Sequence, residues 1–344
     1  MRHFSFSLIF TVVAVLAAGL TLGIGAAITT LILIAIEIAF SFDNAIINAK
    51  VLARLSPLWQ KLFLTIGMVI AIVGMRFVFP IVIVMVTAHL PWATVLQYAL
   101  HDPKQYAAHL AEAHTSISAF GGSFLLTLAL YFLLDDERKE LWLVRIERPL
   151  QRVGGSLWLP PVLAAIVVTF VSLGYHDTKT VLASSLIGIA AYAAINGFIA
   201  LLGKATGQGK GRGQYTGWGA FIAFMYLQVL DASFSFDGVL GAFAITNKVI
   251  LIALGLGVGA LWVRSLTVYM VKKGTLDEYI YLEHGAHYAI LALAAALLVS
   301  IFVEVPDAIT GLAGLGIIGA SFEASRQARN ARHPRHPSKN VANT

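Results

Sequence analysis

Apolar residues in this chain neither alternate nor keep to one helical face. They run on in long stretches that are apolar all round. Such stretches form helices that cross a bilayer, for which about 20 apolar residues suffice. Ten segments are predicted: residues 6–24, 27–49, 62–87, 119–134, 158–175, 180–203, 218–246, 249–271, 286–303 and 308–322. The last is short and glycine-rich. The loops between them are mostly short. The 88–118 loop carries His101, His109, Glu112 and His114, and the 135–157 loop mixes both charge signs, as an amphipathic helix at the membrane surface does. Gly207, Gly209, Gly211 and Gly213 interleave with Lys210 and Arg212 in a flexible basic loop. A phosphate cradle there would need a preceding strand, and none is predicted. The first segment continues through Gly23 and Gly25 into the second without a cleavage site, so it reads as a retained signal-anchor helix.

Composition agrees. Hydrophobic residues make up 58% and charged residues 12%, where a soluble domain carries about 25% charged. That excludes an ordinary soluble enzyme, a disordered chain and a disulfide scaffold. With no cysteine, thiolate metal sites, iron–sulfur clusters and cysteine nucleophiles are excluded too. The fold class is all-α: a polytopic membrane protein with a single transmembrane domain over 1–325, in halves of about 1–134 and 158–325. Residues 326–344 form a basic, disordered tail.

The pI near 9.5 raises the question of nucleic acid, which the placement of the basic residues answers. With the N-terminus in the cytoplasm, nineteen of the 24 Lys and Arg fall in cytoplasmic regions and three, Lys104, Lys179 and Lys248, in external loops. This bias places both termini in the cytoplasm of a multi-pass protein, here assigned to a bacterial inner membrane. The bilayer is the main partner and nucleic acid is not one.

The remaining two basic residues, Arg76 and Arg264, lie inside spans and belong to an internal repeat. Residues 37–44 read Glu-Ile-Ala-Phe-Ser-Phe-Asp-Asn, and residues 231–238 read Asp-Ala-Ser-Phe-Ser-Phe-Asp-Gly. An acid precedes each aspartate by six residues. Gly67 precedes Arg76 by nine residues, as Gly255 precedes Arg264. The predicted topology runs the two copies in opposite directions across the membrane, an inverted repeat of the kind many secondary transporters use to hold a midplane site. Duplication in a membrane enzyme or assembly factor is the competing reading.

A charge mid-helix costs about 2.5–3.5 kcal/mol on insertion scales, so Glu37, Asp43, Asp231, Asp237, Arg76 and Arg264 need a reason. Pairing with the arginines satisfies part of the set. Four acids against two arginines leave a net charge that suits one divalent cation. Residues six apart do not share a face of a regular helix, so the spacing predicts helices broken at Ser41 and Ser235. Freed carbonyls would then join Asp43, Asp237, Asn44 and the serine hydroxyls. Such an all-oxygen set favours Mn²⁺, Ca²⁺ or Mg²⁺ over copper or zinc. The cation is substrate, and no organic cofactor is expected.

Glu37 through Asn44, with its Phe-Ser-Phe-Asp-Asn core, resembles the signature of TerC-like integral membrane proteins, in the LysE exporter superfamily. The stretches from His114 to Gly122 and from Tyr281 to Tyr288 resemble landmarks of that family's larger branch. The resemblance spans roughly residues 4–325. It implies an exporter fold of ten or fewer helices and, from better understood relatives, manganese efflux. It assigns Glu37, Asp43 and Asn44 to the first motif and Asp231 and Asp237 to the second. Gly238 stands where that family usually has Asn.

Secondary candidates are His114, where the fourth segment begins, and Glu283, His284 and His287, which could bind metal at an entry site or cap a helix. Asn196 is either packing glue or a pathway residue, and Gly255 and Gly259 form a small-residue packing face. The expected function is divalent-cation export, with Asp43 and Asp237 as ligands and Glu37 and Asp231 assisting or carrying counter-transported protons. Arg76 and Arg264 pair with the acids when the site is empty, and homo-oligomers are compatible. Export of organic solutes such as amino acids, and a non-transporting role in protein metalation, are the alternatives. An enzyme is not expected, because no nucleophile–base pair or cofactor motif occurs.

Overall fold

A computed structural model describes residues 4–205, 214–246, 248–303 and 305–332. It is all-helical. The chain opens with α1 (Ser5–Leu22) and α2 (Ile24–Phe40), joined at Gly23, whose φ of 91° suits glycine alone. Next come α3 (Phe42–Arg54), α4 (Pro57–Leu64), with proline at its first position, and α5 (Ile66–Val69). A π-helical stretch, Ile70–Val78, leads into α6 (Phe79–Thr87). Two short helices, α7 (Trp92–His101) and α8 (Pro103–Glu112), occupy the segment read as an external loop. The Asp102 side chain caps α8. Then follow α9 (His114–Leu133), α10 (Val144–Val153), α11 (Leu159–Leu173) and α12 (Thr178–Ala205). The chain ends with α13 (Gly217–Ile245), α14 (Val249–Lys273), α15 (Thr275–Glu278), α16 (Leu282–Ser300) and α17 (Asp307–Arg332).

Among the described residues six helical stretches are long and apolar enough to cross a membrane: α1, the run Pro57–Val86, α9, residues 178–198 of α12, α14 and α16. The bent pair α2–α3 makes a seventh. All ten expected segments lie on helices, but α11 has only 15 residues, about 22 Å against a hydrocarbon core of about 30 Å. The multi-spanning character stands; among the described residues, length and apolarity support six or seven spans.

Two local expectations meet different outcomes. α2 and α3 bend by 53° about Ser41, where a break was expected. α13 runs without interruption through Ser235, so the expected second break is corrected. Asp231 finds partners on other helices, described below, and does not need its own helix opened. The side chains of 233–237, including Ser235 and Asp237, lie outside the described residues, as do the Gly207–Gly213 loop and residues 333–344. The tail expected to be disordered begins as helix: α17 continues to Arg332, and Arg329 pairs with Glu278.

α9, α14 and α16 form the interior; two thirds of the apolar window of α9 and of α14 is buried. α14 packs along α2 through Gly255 and Gly259, where added Cβ atoms would strike Leu33 and Glu37. This confirms their small-residue packing role. α1 and α11 sit outside, with Leu20 86% and Phe170 73% exposed, as suits lipid-facing side chains. The ends of α3 and α14 share one end of the bundle with the start of α16. Arg54, Lys61, Lys272 and Lys273 gather there, and Lys50 pairs with Glu283. We refer to it as the basic end.

Candidate functional site

The bend at Ser41 builds the first part of the site. Ser41 has φ −100° and ψ 17°, and its amide still donates to the Glu37 carbonyl while its own carbonyl accepts from Ala45. Those two carbonyls are therefore engaged in the helices, contrary to the expectation that they join the site. The bend instead lets Glu37, Ser41 and Asp43 line one cavity. Ser41 Oγ donates to Glu37 Oε1 at 3.0 Å, and Asp43 Oδ1 accepts its neighbour's amide, Asn44 N–H, at 2.8 Å.

Arg76 ties the first motif to the second. Its Nη2 lies 2.5 Å from Glu37 Oε1, and its Nη1 lies 3.1 Å from Asp231 Oδ2 and 2.8 Å from the Ala71 carbonyl. The π-helical stretch carries both Ala71 and Arg76. Asn44 Nδ2 donates to the other Asp231 oxygen at 3.0 Å. All four side chains are buried. One arginine between two carboxylates repays part of the cost of burying them; removing it would leave both uncompensated. Expected pairing thus holds for Arg76.

It does not hold for Arg264 among the described residues. Its guanidinium stacks 4.0 Å over the Phe63 ring and donates to the Phe63 carbonyl at 2.6 Å. Gly67 makes room for it: a Cβ there would stand 3.0 Å from Arg264 Nη1 and 3.3 Å from Gln228 Nε2. The glycine nine residues before Arg76 therefore serves Arg264.

Two cavities flank the Arg76 bridges. The larger, about 40 Å³, is lined by Glu37, Ser41, Asp43 and Gly238 and walled by α16 and α17. It has room for roughly three waters, or for one ion that keeps part of its shell. The smaller, about 10 Å³, is lined by Asn48, Ala71, Arg76, Asp231, Arg264 and Thr267, with Ala260 and Val263. No group of three or more His, Asp or Glu among the described residues is arranged to hold a metal ion. Asp43 and Ser41 face the larger cavity, while Glu37 and Asp231 are held by Arg76. Gly238 lies beside Glu37, and a Cβ on it would be 3.5 Å from Glu37 Oε2.

The secondary candidates lie elsewhere. At the basic end, Glu283 pairs with Lys50, and His287 bonds the Glu283 carbonyl at 2.8 Å while stacking on Phe132. His284 meets the Glu140 carbonyl at 2.9 Å and Glu147 at 3.5 Å. His114 contacts Ser118 at 3.2 Å on α9. Asn196 on α12 bonds Tyr131 of α9.

Sequence reasoning missed three groups. Asn48 follows Asn44 by one turn, and Gln228 precedes Asp231 by three residues; both spacings share a helix face and could have revealed them. Glu147 gave no such signal. It stands between Arg145 and Arg148 and reads as surface, yet it is fully buried. Arg138 lies 3.2 Å away, the Leu143 amide donates to it at 3.1 Å, and the Tyr288 hydroxyl does so at 3.3 Å. Burial pulls the Arg138 pKa down, and the Glu147 carboxylate opposes that shift.

The family described as "Protein of unknown function (DUF475)" matches residues 42–333, and the chain belongs to it. The match takes in Asp43, Asn44, Arg76, Asp231 and Arg264 and begins just after Glu37 and Ser41. No curated protein and no solved structure matches the chain.

Proposed function

We propose that this member of the DUF475 family is a membrane transporter that exports a divalent metal cation, Mn²⁺ in preference, through a midplane carboxylate site between two halves related as an inverted repeat. The observation that carries this reading is the placing of Asp43 and Ser41 on a cavity beside Glu37, which shares the single positive charge of Arg76 with Asp231. Carboxylate, hydroxyl and carboxamide oxygens are hard donors suited to Mn²⁺, Mg²⁺ or Ca²⁺.

In this mechanism Arg76 is the internal counter-ion. A cation entering beside Asp43 competes with the guanidinium for Glu37. Arg76 swings towards Asp231 as the ion binds and returns when it leaves. Asp237 completes the ligand set when the halves rock together, and protons counter-transported on Glu37 or Asp231 restore the charge. The TerC-like resemblance supports manganese as cargo.

The test is Mn²⁺ flux in proteoliposomes. Asp43→Ala should abolish flux while eluting as the wild type does from size exclusion. Flux at the wild-type level in a folded variant rejects the reading. A second reading, export of small organic solutes such as amino acids, draws on the fact that Arg76 pairs with both Glu37 and Asp231. Counterflow of labelled amino acids with no Mn²⁺ flux would favour it.

A further inference from the structure

The interior holds a second polar cluster, of which the cation-binding reading uses Asn44, Arg76 and Asp231 but not Asn48, Gln228 or Thr267. Asn44 Oδ1, Asn48 Oδ1, both amide atoms of Gln228 and Arg76 Nε are buried without a protein hydrogen-bond partner. Asn44, Asn48 and Gln228 are 1%, 4% and 3% exposed. Leaving such atoms unpaired costs about 1–3 kcal/mol each.

Asn48 and Arg76 line one cavity, and Asn44 and Gln228 adjoin residues that line it. Asn44 and Asn48 are one turn apart on α3, and Gln228 and Asp231 are three residues apart on α13. The Asn44–Asp231 bond joins the two faces. Asn48, Asp231, Arg76, Arg264 and Thr267 line the smaller cavity, and Gln228 borders Arg264 across Gly67.

The chemistry selects the ligand. A metal cation would satisfy the carboxamide oxygens but would face two guanidinium groups and leave the N–H donors of Gln228 and Arg76 unmet. An anion would satisfy those donors but would meet the three orphaned oxygens and Asp231. Water donates to the oxygens and accepts from the N–H groups at once. A cavity of about 10 Å³ is near the lower limit for one water, which needs two to four polar partners.

The cavity also has a side. Asn48 lies beyond Asn44 towards Lys50 and Arg54. Thr267 lies beyond Arg264 towards Lys272 and Lys273. Gln228 precedes Asp231 on the helix that starts beside Tyr215, which bonds Arg54. All three point to the basic end. The larger cavity instead extends from mid-bundle, at Ala289 and Ile318, towards the opposite end, where Thr310 lies three residues into α17. The Arg76 bridges stand between the two.

We propose that Asn48, Gln228 and Thr267 form a water-binding chamber that connects Asp231 to the basic end, while Asp43 communicates with the opposite end. Asp43 of the first motif and Asp231 of the second would then serve opposite faces of the membrane. This rests on the chain spanning a bilayer, not on which solute it carries.

The natural absence of cysteine makes the test clean. Single-thiol variants Asn48→Cys, Thr267→Cys and Ser41→Cys are made, with Lys273→Cys as a marker of the basic end and Val162→Cys, at an exposed position of the outer helix α11, as a lipid-facing control. Ag⁺, about the size of water, is applied in nitrate buffer to right-side-out or inside-out vesicles. Thiols left unreacted are then counted by maleimide mass-tagging after denaturation. The Asn48→Cys and Thr267→Cys thiols should react about tenfold faster from the face that reaches Lys273→Cys, an access difference of about 1.4 kcal/mol, and Ser41→Cys from the other face. Equal rates from both faces, or rates no faster than Val162→Cys, overturn the proposal. If Asn48→Cys does not elute as a single species, Thr267→Cys, which introduces no larger side chain, decides alone. Because no transport is read, loss of the Mn²⁺ reading leaves this result standing, and the reverse.

Discussion

Arg76 and Asp231, 155 positions apart in the chain, meet in a 3.1 Å contact between Nη1 and Oδ2. The same guanidinium reaches Glu37, so one side chain joins α2, the π-helical stretch and α13. Arg76→Ala would bury two carboxylates without a counter-charge, at a cost of about 3–5 kcal/mol. Denaturant unfolding in detergent should show that loss. Adding Glu37→Gln and Asp231→Asn to Arg76→Ala should recover part of it. A single variant as stable as the wild type would contradict the pairing.

Gly259 and Gly238 both border Glu37 but differ in room. A Cβ on Gly259 would lie 2.6 Å from Glu37 Cγ, and one on Gly238 would lie 3.5 Å from Glu37 Oε2. Gly259→Ala should therefore destabilise by about 1–3 kcal/mol through overpacking, whereas Gly238→Ala, with room inside α13, should hold or raise the melting temperature. Equal melting temperatures for the two variants would refute the close packing of α2 on α14.

Glu147 fastens the amphipathic helix α10 to the bundle. Without its carboxylate, Arg138, the Leu143 amide and the Tyr288 hydroxyl lose a common partner. Glu147→Ala should free α10 and speed tryptic cleavage at Arg145 and Arg152. Glu147→Gln keeps two of the hydrogen bonds and should be intermediate. Digestion at the wild-type rate would show that α10 is held by its apolar face alone.

Asp177 precedes α12 and accepts the Thr180 amide at 3.2 Å. Hydrogen bonds from Thr180 hold its carboxyl below the usual 3.8. A depressed folded-state pKa adds stability above the unfolded value and loses it as pH falls through the folded value. The stability gap between wild type and Asp177→Ala should thus be constant near neutrality and close only in acid, below about pH 4. A gap that persists at pH 2 would place the effect in packing rather than in the charge.

Much of the architecture could be read from the chain because hydrocarbon imposes a crude and strong rule. The apolar runs located the helices, and the acid six residues before Asp43 foretold the bend at Ser41. The same logic failed at Ser235, since spacing alone does not say whether an acid will be met by partners from other helices, as Asn44 and Arg76 meet Asp231. Arg264 shows the limit in another way. Its repeat position matches that of Arg76, but its neighbour is Phe63, a contact no pattern in the sequence announces. Glu147 was hidden for a similar reason: amphipathicity marks a helix as peripheral and cannot reveal that one of its charges turns inward.

The π-helical turn at Ile70–Val78 makes that stretch intolerant of a change in length. Removing one residue would let the backbone close as an ordinary α-helix. Everything on one side of the deletion would then rotate by about 100° against the other. Either Arg76 would leave Asp231 and Glu37, or Phe63 and Gly67 would leave Arg264. Relatives that keep both arginines in place should therefore differ here by substitution and never by a gap.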